Sequence, residues 1–466
     1  MKATLAPYPT YKDSGVPWLG EVPEHWEMRR LRNTAEIRVS NVDKLTNNDE
    51  HSVRLCNYVD VYKNDRITGR ISFMRASATL DEIERFRLKI GDLLITKDSE
   101  AWNDIGVPSL VEYSAPDLVS GYHLALVRPH GKLLTGSYGL YVLKIPSTAY
   151  QLYVRANGVT RFGLSQNAIK DVVIPLPPLD EQAAIVKFLD YMDRRIRRYV
   201  GAKKKLIKLL EEQKQAIIHH AVTRGLDPDV RLKSSCVVWL GDVPEHWKVQ
   251  RMKTTCGMQS GESITAMSIE QSGDYPVYGG NGIRGYTTRF THEGQYALIG
   301  RQGALCGNVH LARGRFWASE HAIVVATRVG VNVEWFADVL TVMDLNQYSI
   351  AAAQPGLAVE RVLNLWIPLP PLDEQRSIAA KINRDTIELT TTINRTKQEI
   401  SLLNEYRTRL IADVVTGKLD VRKVAANLPD EPIESEQLDE DNALVTDDDF
   451  DGNDDDIDEE LEEVEA

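Results

Sequence analysis

The sequence is poor in cysteine and contains no long apolar run. Its 466 residues include four cysteines, at positions 56, 236, 256 and 306, and none of them forms a CxxC pair. This is too few for a disulfide framework or a zinc finger, so we expect reduced and mostly buried thiols. No stretch reaches the roughly 18–20 apolar residues needed to cross a bilayer, and residues 1–10 lack an apolar signal segment. We therefore expect a cytoplasmic protein with no membrane partner.

The sequence also lacks the motifs of nucleotide-binding and adenine-methylating enzymes. It has no GxxxxGK[ST] phosphate loop, no glycine-rich nucleotide fingerprint after a strand, and neither Asn-Pro-Pro-Tyr nor Asp-Pro-Pro-Tyr. His123 and His321 have no nearby cluster of Cys or carboxylate residues, and isolated histidines are more often satisfied core residues than metal ligands. These absences predict a chain with no catalytic residue, no metal and no cofactor of its own.

Basic residues are missing from the last part of the sequence. Residues 430–466 contain 20 Asp and Glu but no Lys or Arg, whereas the whole chain has a net charge of −12. Without this segment, 55 basic residues face 67 − 20 = 47 acidic ones, so residues 1–429 carry +8. We expect the acidic tail to be disordered, because it cannot bury enough apolar surface to offset its ordering entropy. The basic body permits binding to nucleic acid without proving it.

The sequence contains two copies of one organisation. A Trp box, Trp-Leu-Gly-Glu-Val-Pro-Glu-His-Trp at residues 18–26, returns at residues 239–247 with Glu21 replaced by Asp242. A Pro box, Ile-Pro-Leu-Pro-Pro-Leu-Asp-Glu-Gln at residues 174–182, returns unchanged 193 residues later. Each half therefore consists of a Trp box, a variable region, a Pro box and a following segment of fixed length.

The segments that follow the two Pro boxes predict long helices. Asp180 and Asp373 are the predicted N-caps, each directly after a Pro-Pro-Leu sequence. Apolar residues then recur in steps of seven, four and three, as in a coiled coil, and the 193-residue shift carries each onto an apolar partner. Two helices of about 40 residues with one shared stripe are expected to pack on each other. The predicted seam residues are Leu189, Ile196, Val200, Ile207, Leu210, Ile217, Leu389, Ile393, Ile400, Leu403 and Leu410.

The two variable regions predict mixed α/β domains. Short β-rich runs, such as residues 93–95 and 322–325, are bounded by Gly, Asp and Asn turns. Residues 91–99 also parallel residues 294–303. Each segment is followed later in the sequence by a histidine that stands before an apolar run, at His123 and His321. The predicted boundaries are 1–26 for the first Trp box, 27–173 for the first α/β domain, 174–228 for the first helical spacer, 229–366 for the second α/β domain with its Trp box at 238–247, 367–422 for the second spacer, and 423–466 for the acidic tail.

This alternation of variable domains and repeated helices resembles the DNA-specificity subunits of type I restriction–modification systems, a prokaryotic defence. The two Pro boxes, the Trp box and the run Val-Tyr-Gly-Gly-Asn-Gly-Ile-Arg-Gly-Tyr at residues 277–286 are typical of that family. The likeness covers residues 14 to about 422. It implies an α+β multi-domain fold in which two target recognition domains alternate with two helices, paired as an antiparallel coiled coil with pseudo-twofold symmetry.

The resemblance also implies partners. They are double-stranded DNA, two adenine-N6 methyltransferase (M) subunits and restriction (R) subunits, and this chain would be non-catalytic alone. S-adenosylmethionine, ATP and Mg would be used by the partner subunits. The repeat independently favours a two-part DNA site, because a nearly twofold protein engages a duplex at two places separated along its axis. Since the two variable domains differ in sequence, the half-sites should differ too.

Polar residues on predicted loops are the candidates for DNA binding. Arg and Lys pair with guanine, and Gln pairs with adenine. For Lys97 and Arg301, base reading has an equally good alternative, which is that they are solvated turn residues or phosphate contacts. The candidates are Lys97, Asp98, Arg161 and Ser165 in the first domain, and Tyr278, Gly280, Asn281, Arg284, Arg301, Gln302 and Gln354 in the second.

Three further interpretations stay open at this point. Trp26 and Trp247 are interpreted as packing residues rather than as platforms for stacked bases. The basic run at residues 194–208 is either a contact for phosphate or an acidic partner, or a solvated helix face. A rival to the DNA-binding subunit is a coiled-coil scaffold that never meets DNA, which the acidic tail favours, whereas the missing motifs oppose a self-contained methyltransferase or nuclease.

Overall fold

The chain forms two compact units in the computed structural model, which describes residues 5–303, 305–349 and 356–429. Unit 1 contains the residues up to 202 and those from 399 onward, and unit 2 contains residues 203–398. The unit boundaries fall inside the two long helices, so each long helix contributes to both units. Among the described helices, none is long and apolar enough to cross a membrane.

Unit 1 is an α/β domain with two sheets of more than two strands. Its strands are β1 Tyr11–Asp13, β2 Glu21–Pro23, β3 Glu27–Arg30, β4 Ala35–Val39, β5 His51–Cys56, β6 Arg66–Ile67, β7 Met74–Ala78, β8 Leu93–Thr96, β9 Asp98–Ser99, β10 Pro108–Val111, β11 Leu118–Ser120, β12 Leu124–Pro129, β13 Phe162–Gly163 and β14 Val173–Leu176. Its helices are α1 Tyr58–Lys63, α2 Leu80–Phe86, α3 Gly136–Lys144, α4 Pro146–Tyr153, α5 Gln166–Lys170 and the first part of α6 Leu179–Arg224. The strand orders are β4-β12-β8-β10-β6 and β11-β5-β7.

Unit 2 has one large sheet, in the order β18-β23-β21-β22-β19-β20. Its strands are β15 Leu232–Ser234, β16 Asp242–Pro244, β17 Lys248–Arg251, β18 Cys256–Ser260, β19 Tyr275–Gly279, β20 Gly282–Thr287, β21 His292–Gly300, β22 Val309–Ala318, β23 Ala322–Thr327 and β24 Trp366–Leu369. Its helices are the last part of α6, α7 Val333–Val342, α8 Val359–Leu363 and the first part of α9 Leu372–Val415. The end of α9 and the short helix α10 Arg422–Ala426 belong to unit 1.

Each unit contains four sheet strands in the same order. The order β4-β12-β8-β10 in unit 1 matches β18-β23-β21-β22 in unit 2, with antiparallel pairing throughout. All four residues of β8 are buried, which is what a short continuous apolar run predicts for a strand covered on both faces. The apolar faces of α3 and α7 join the same cores, where each fully buried large side chain contributes about 1.5–3 kcal/mol.

The two long helices pack on each other in both units, as predicted. In unit 1, Asp193 of α6 binds Arg407 of α9, while Glu181 at the start of α6 binds Arg422 just beyond the end of α9. In unit 2, Lys397 of α9 lies 3.5 Å from a carboxylate oxygen of α6, and the start of α9 meets the turn that follows α6. The helices therefore run in opposite directions within each unit.

The predicted seam residues face inward along both helices. None of the eleven is among the exposed residues, as an inward-facing stripe requires. Buried are Leu189, Ile196, Ile207, Ile393 and Leu410, and half-buried are Val200, Leu210, Ile217, Leu389, Ile400 and Leu403.

The structure corrects two predicted boundaries. The helices begin at Leu179 and Leu372, so Asp180 and Asp373 lie in the first turn and are not N-caps. The carbonyl of Pro178 already accepts the first helical hydrogen bond, at 2.9 Å. The tail was predicted from residue 423, but α10 is folded and its Ala425 is buried in the core of unit 1. The acidic part, residues 430–466, lies outside the described residues.

Candidate nucleic-acid interface

The Trp box of each half docks on the Pro box of the same half. β3 pairs with β14, and β17 pairs with β24 in the same register. In unit 1, the Glu181 carboxylate accepts a hydrogen bond from Trp26 Nε1 at 2.8 Å and lies 2.6 Å from His25 Nε2. Glu374 makes the same two contacts in unit 2, at 3.0 and 2.8 Å. Trp26 and Trp247 are fully buried, which confirms that they are packing residues.

The glutamine that ends each Pro box joins the helix to the α/β domain. Gln182 Nε2 donates to the carbonyls of Leu133 and Pro177, at 2.7 and 3.0 Å. Its Oε1 accepts from the backbone N–H of Thr135, directly before α3, at 3.0 Å. Gln375 accepts in the same way from the backbone N–H directly before α7, at 2.8 Å. The identical boxes therefore build a joint, and the differences between the halves lie in the α/β domains that this joint carries.

The predicted residues Lys97, Asp98 and Arg161 meet at one place in unit 1. β9 begins at Asp98 and pairs with β13, which directly follows Arg161. Lys97 Nζ lies 2.8 Å from Asp98 Oδ2, and His123 Nδ1 lies 2.7 Å from the same oxygen. On the other side of the imidazole ring, Arg161 Nη2 lies 3.3 Å from His123 Nε2. These four side chains, from three separate segments, form one hydrogen-bonded row that we call the polar row.

Asp98 is the anion of the polar row. Burial alone would raise its pKa, but hydrogen bonds from Lys97 and His123 outweigh burial and hold the pKa of Asp98 below its ordinary value. The carboxylate accepts from His123, so the ring proton is on Nδ1 and the lone pair of Nε2 faces Arg161. Each member of the row thus fixes the orientation of the next one.

His123 corrects the prediction that it is a core residue. It is hydrogen-bonded, as predicted, but it lies directly before β12 and is partly exposed beside Asp98 and Arg161. The sequence signal for this position was that a histidine stands before an apolar run in both halves. Within the described residues, no group of three His, Cys, Asp or Glu side chains is arranged to hold a metal ion.

An open groove of about 600 Å³ lies beside the polar row. Tyr122 contributes an aromatic wall, and its ring centroid is 3.7 Å from that of His123. Lys44 and Lys97 bring two ammonium groups to the groove, and Asp43 brings a carboxylate. Apart from Lys97, sequence patterns did not point to these residues. The lining residues are Ser40, Asn41, Asp43, Lys44, Leu45, Lys97 and Tyr122.

In unit 2, the predicted residues Arg301 and Gln302 lie beside the glycine-rich loop between β19 and β20. Gln302 Oε1 is 3.3 Å from His321 Nδ1. A Cβ atom on Gly300 would lie only 2.3 Å from the Gly280 carbonyl oxygen. The absence of a side chain at Gly300 therefore lets the end of β21, directly before Arg301 and Gln302, pack closely on this loop.

The other predicted residues of the β19–β20 hairpin, Tyr278, Asn281 and Arg284, have different surroundings. Asn281 Oδ1 accepts a hydrogen bond from Asn308 Nδ2 at 3.2 Å. The side chain of Arg284 lies against the backbone at the end of β19. The Tyr278 ring packs in the core against Phe316, with 5.5 Å between centroids, and burial raises the pKa of Tyr278. Asn281 in the loop and Arg284 on β20 are thus exposed, while the Tyr278 ring on β19 packs in the core.

The candidate residues of the two units occupy equivalent positions. The backbone N–H of Lys97 donates to the backbone carbonyl of His123 at 3.0 Å, and the backbone N–H of Arg301 donates to that of His321 at 2.8 Å. The carbonyls of Lys97 and Arg301 each accept from a leucine N–H, at 2.7 and 2.9 Å, and the two leucines are 193 residues apart. The next residue, Asp98 in unit 1 and Gln in unit 2, bridges to the glycine before that leucine. The parallel between residues 91–99 and 294–303 is therefore confirmed.

Two of the predicted DNA-binding residues are not joined to these clusters. Ser165 accepts a hydrogen bond from the Ala168 N–H at 3.1 Å and caps α5. Gln354 lies outside the described residues. DNA contact by both residues stays a prediction.

The basic run at the centre of α6 does not form one solvated face. Arg197 points to Asp65 and makes a 2.8 Å ion pair with it. The Arg195 guanidinium instead lies over the rings of Tyr191 and Tyr199, 5.7 and 6.0 Å from their centroids. The run therefore combines residues that hold the fold together with residues that are presented to solvent.

Comparison with known proteins places this arrangement among DNA-specificity proteins. The family model described as the type I restriction modification DNA specificity domain matches residues 23–208 and 244–402. The type I restriction enzyme EcoprrI specificity subunit of Escherichia coli is 47% identical over 135 residues, which are 28% of this chain and about a third, 34%, of that protein. The putative type I restriction enzyme MjaX specificity subunit of Methanocaldococcus jannaschii is 23% identical over 423 residues, 87% of this chain and 96% of that protein.

A solved structure shares the fold. It comes from work on the structural basis of complex assembly and conformational transition of the type I R-M system. The alignment covers 85% of this chain and 99% of that one, with a TM-score of 0.60 and 17% sequence identity. The likeness therefore extends over nearly the whole of that chain, although few residues are identical.

Proposed function

Because the chain belongs to the family of type I restriction–modification DNA specificity subunits, we propose that it reads a two-part DNA site and carries catalytic partner subunits to it. The α/β domain of unit 1 reads one half-site, and the α/β domain of unit 2 reads the other. The two long helices hold the spacing between them. The chain itself does no chemistry on the DNA.

The equivalence of the two candidate surfaces carries this proposal. Lys97 and Arg301 occupy one position of a repeated domain, and Asp98 and Gln302 occupy the next one. A scaffold that never met DNA would have no need for different hydrogen-bonding groups at matched surface positions. Two copies of one reading domain with different side chains predict two different half-sites, and hence an asymmetric target.

The long helices are the proposed docking sites for the methyltransferase (M) and restriction (R) subunits. Both helices expose large apolar side chains, which single soluble domains rarely leave uncovered in number. Four are on α6 and three on α9: Leu179, Tyr199, Leu206, Leu209, Ile387, Leu402 and Tyr406. Methylation with S-adenosylmethionine, and cleavage with ATP and Mg, are assigned to these partners.

The test is to co-express the chain with its methyltransferase partner and to map N6-methyladenine across the host DNA by single-molecule sequencing. We expect one motif of two short, unlike half-sites at a fixed spacing. A complex that assembles and methylates no defined motif would contradict the assignment of DNA reading to this chain. Salt-dependent binding of the purified complex to a duplex would exclude the scaffold interpretation. If the complex bound no duplex, the scaffold interpretation would replace the proposal.

A further inference from the structure

The polar row of unit 1 presents hydrogen-bond donors to a ligand. Asp98 Oδ2 is already shared by Lys97 Nζ and His123 Nδ1, and its Oδ1 lies against Gly163, where a Cβ atom would be 3.3 Å away. The lone pair of His123 Nε2 faces Arg161. Asp98 Oδ2 and His123 Nε2 are therefore occupied by other members of the row. The groups that Lys97 and Arg161 can offer to a ligand are N–H donors.

Lys97 and Arg161 keep most of their donors after these contacts. A lysine ammonium has three N–H bonds, and the Asp98 contact uses one of them. An arginine guanidinium has five, and the contact with His123 uses one. Two donor groups thus lie at opposite ends of a row whose members are fixed by each other, so their positions are set before any ligand arrives.

The charge of the row favours a base edge over a phosphate. Asp98 is an anion between the two cations, and it cancels much of the attraction that Lys97 would exert on a phosphate. Lys97 is also held close to the protein, with a side chain that is 17% exposed, whereas phosphate-binding lysines act as mobile point charges. Directional donors remain useful for a base, because a base is recognised by the geometry of its hydrogen bonds.

Guanine is the base that matches two donor side chains. In the major groove it presents two adjacent acceptors, N7 and O6, while adenine presents one acceptor and one donor. We propose that Lys97 and Arg161 recognise a guanine in the half-site read by unit 1, and that Asp98 and His123 are positioning residues for them. This assignment rests on the proposed DNA-reading function and names the base that unit 1 reads.

Unit 2 provides the internal comparison. At the position of Asp98 it has Gln302, a neutral side chain that carries both a donor and an acceptor. Its carbonyl oxygen is 3.3 Å from His321, a longer contact than the 2.7 Å bond between Asp98 and His123. The second half-site should therefore follow a different rule and should not respond to changes at Lys97 or Asp98.

The experiment uses the full chain, co-purified with its methyltransferase partner, and a duplex library with randomised half-sites. We expect wild type to select two half-sites, one of which contains a guanine. Lys97→Met keeps the apolar stem and should lower the preference for that guanine about 5- to 150-fold, the equivalent of about 1–3 kcal/mol. Asp98→Asn should relax the same position, since a neutral amide holds Lys97 and His123 less firmly. The second half-site should be unchanged in both variants, which also shows that they are folded.

Lys44→Ala is the matched control, because Lys44 lines the same groove but is not a member of the polar row. It should weaken binding to all sequences alike and reduce the slope of affinity against salt, as loss of a phosphate contact does. If Lys97→Met behaved like this control and kept the guanine preference, the assignment would be wrong while the DNA-reading function stood. A wild-type complex that selected no motif would overturn both.

Discussion

The α/β domain packs on the long helices through an apolar core in both units, and unit 1 adds an ionic cluster to this packing. In unit 1, Asp65, directly before β6, binds Lys144 of α3, Arg197 of α6 at 2.8 Å and Arg407 of α9 at 3.5 Å. Asp193 of α6 binds the same two arginines. Burial would raise the pKa of Asp65, but the surrounding cations lower it to about 2. Charges from the domain and from both helices thus form one cluster.

Among the described residues of unit 2, the positions that correspond to Asp193 and Arg407 form no such cluster. Where unit 1 has the Asp–Arg pair, the 193-residue shift gives Thr386 and Lys214 in unit 2. The Thr386 hydroxyl donates to a carbonyl of its own helix, at 2.8 Å. Asp338 of α7 is largely buried, and burial and then Glu334 raise its pKa to about 7, against the opposing effect of Lys214. The rest of α7 joins the core of unit 2 through large apolar side chains.

The comparison separates two ways of fixing a domain to a helix pair. Partly buried ion pairs such as these contribute little net stability, because removing charges from water costs about as much as their attraction returns, but their directional contacts favour one orientation. Apolar packing stabilises without a preferred direction. The joint made by the Trp and Pro boxes is the same in both units. The surrounding contacts differ, so the first domain should be held more rigidly against its helices than the second.

The largest effect is expected from breaking the ionic cluster. Arg407→Met leaves the partly buried carboxylates of Asp65 and Asp193 with fewer cations, and should lower the free energy of unfolding of unit 1 by about 3 kcal/mol. The matched change Lys214→Met should cost less than about 1 kcal/mol in unit 2. Hydrogen exchange of α3 and α7, followed by mass spectrometry, measures each unit separately. Equal losses in the two units would show that the attachments do not differ in this way.

The two units should also respond to pH in opposite directions. Asp65 titrates lower in the folded than in the unfolded protein, so its stabilisation of unit 1 is present above about pH 4 and is lost as pH falls toward 2. Asp338 titrates higher when folded, so its stabilisation of unit 2 is complete below about pH 4 and is lost as pH rises toward 7. Unit 2 should therefore gain about 2–4 kcal/mol between pH 7 and pH 4.

Thermal unfolding at pH 5 and pH 8 checks this expectation. The transition of unit 2 should occur at a higher temperature at pH 5, and Asp338→Asn should remove most of the difference. A pH dependence that survived in the Asn variant would assign it to another group.

The smallest contrast is expected at the joint itself. Glu181 is 5% exposed and accepts further contacts from Tyr8 and Arg422, each at 3.2 Å, whereas Glu374 is 27% exposed. Glu181→Gln should cost about 2 kcal/mol and Glu374→Gln about 1 kcal/mol, since fewer charge-assisted hydrogen bonds are lost in unit 2. Denaturant titrations followed by tryptophan fluorescence measure both. A larger loss for Glu374→Gln would mean that the additional partners of Glu181 contribute nothing.

The fold could be predicted from the sequence wherever a pattern recurs. The repeated boxes, the two helices and the burial of Trp26 followed from identity and periodicity. The weak parallel between residues 91–99 and 294–303 proved accurate, because the spacing of glycine, apolar run and polar strand end is set by the same backbone. The family assignment followed from a resemblance carried by the order of the repeats and by their boxes, and not from any catalytic residue.

The partners within the site could not be predicted, because they are distant in the sequence. Asp98 meets His123 across 25 positions, and Asp65 meets Arg407 across 342. No local pattern specifies such pairs, since they depend on how the sheets and helices close. The boundary at residue 423 was wrong for a similar reason. α10 is only five residues long, and its burial depends on a core supplied by the other end of the sequence.

Unit 1 is assembled from two distant stretches of the chain, and this has a consequence for the order of events on the ribosome. Unit 2 is one continuous stretch, residues 203–398, and can fold as soon as it has emerged. The first α/β domain must wait for the end of α9, roughly 200 residues later, or about 10–40 seconds at bacterial rates of synthesis. During that interval Glu181 lacks Arg422 and α6 lacks Arg407. The domain made first is therefore the last to be completed.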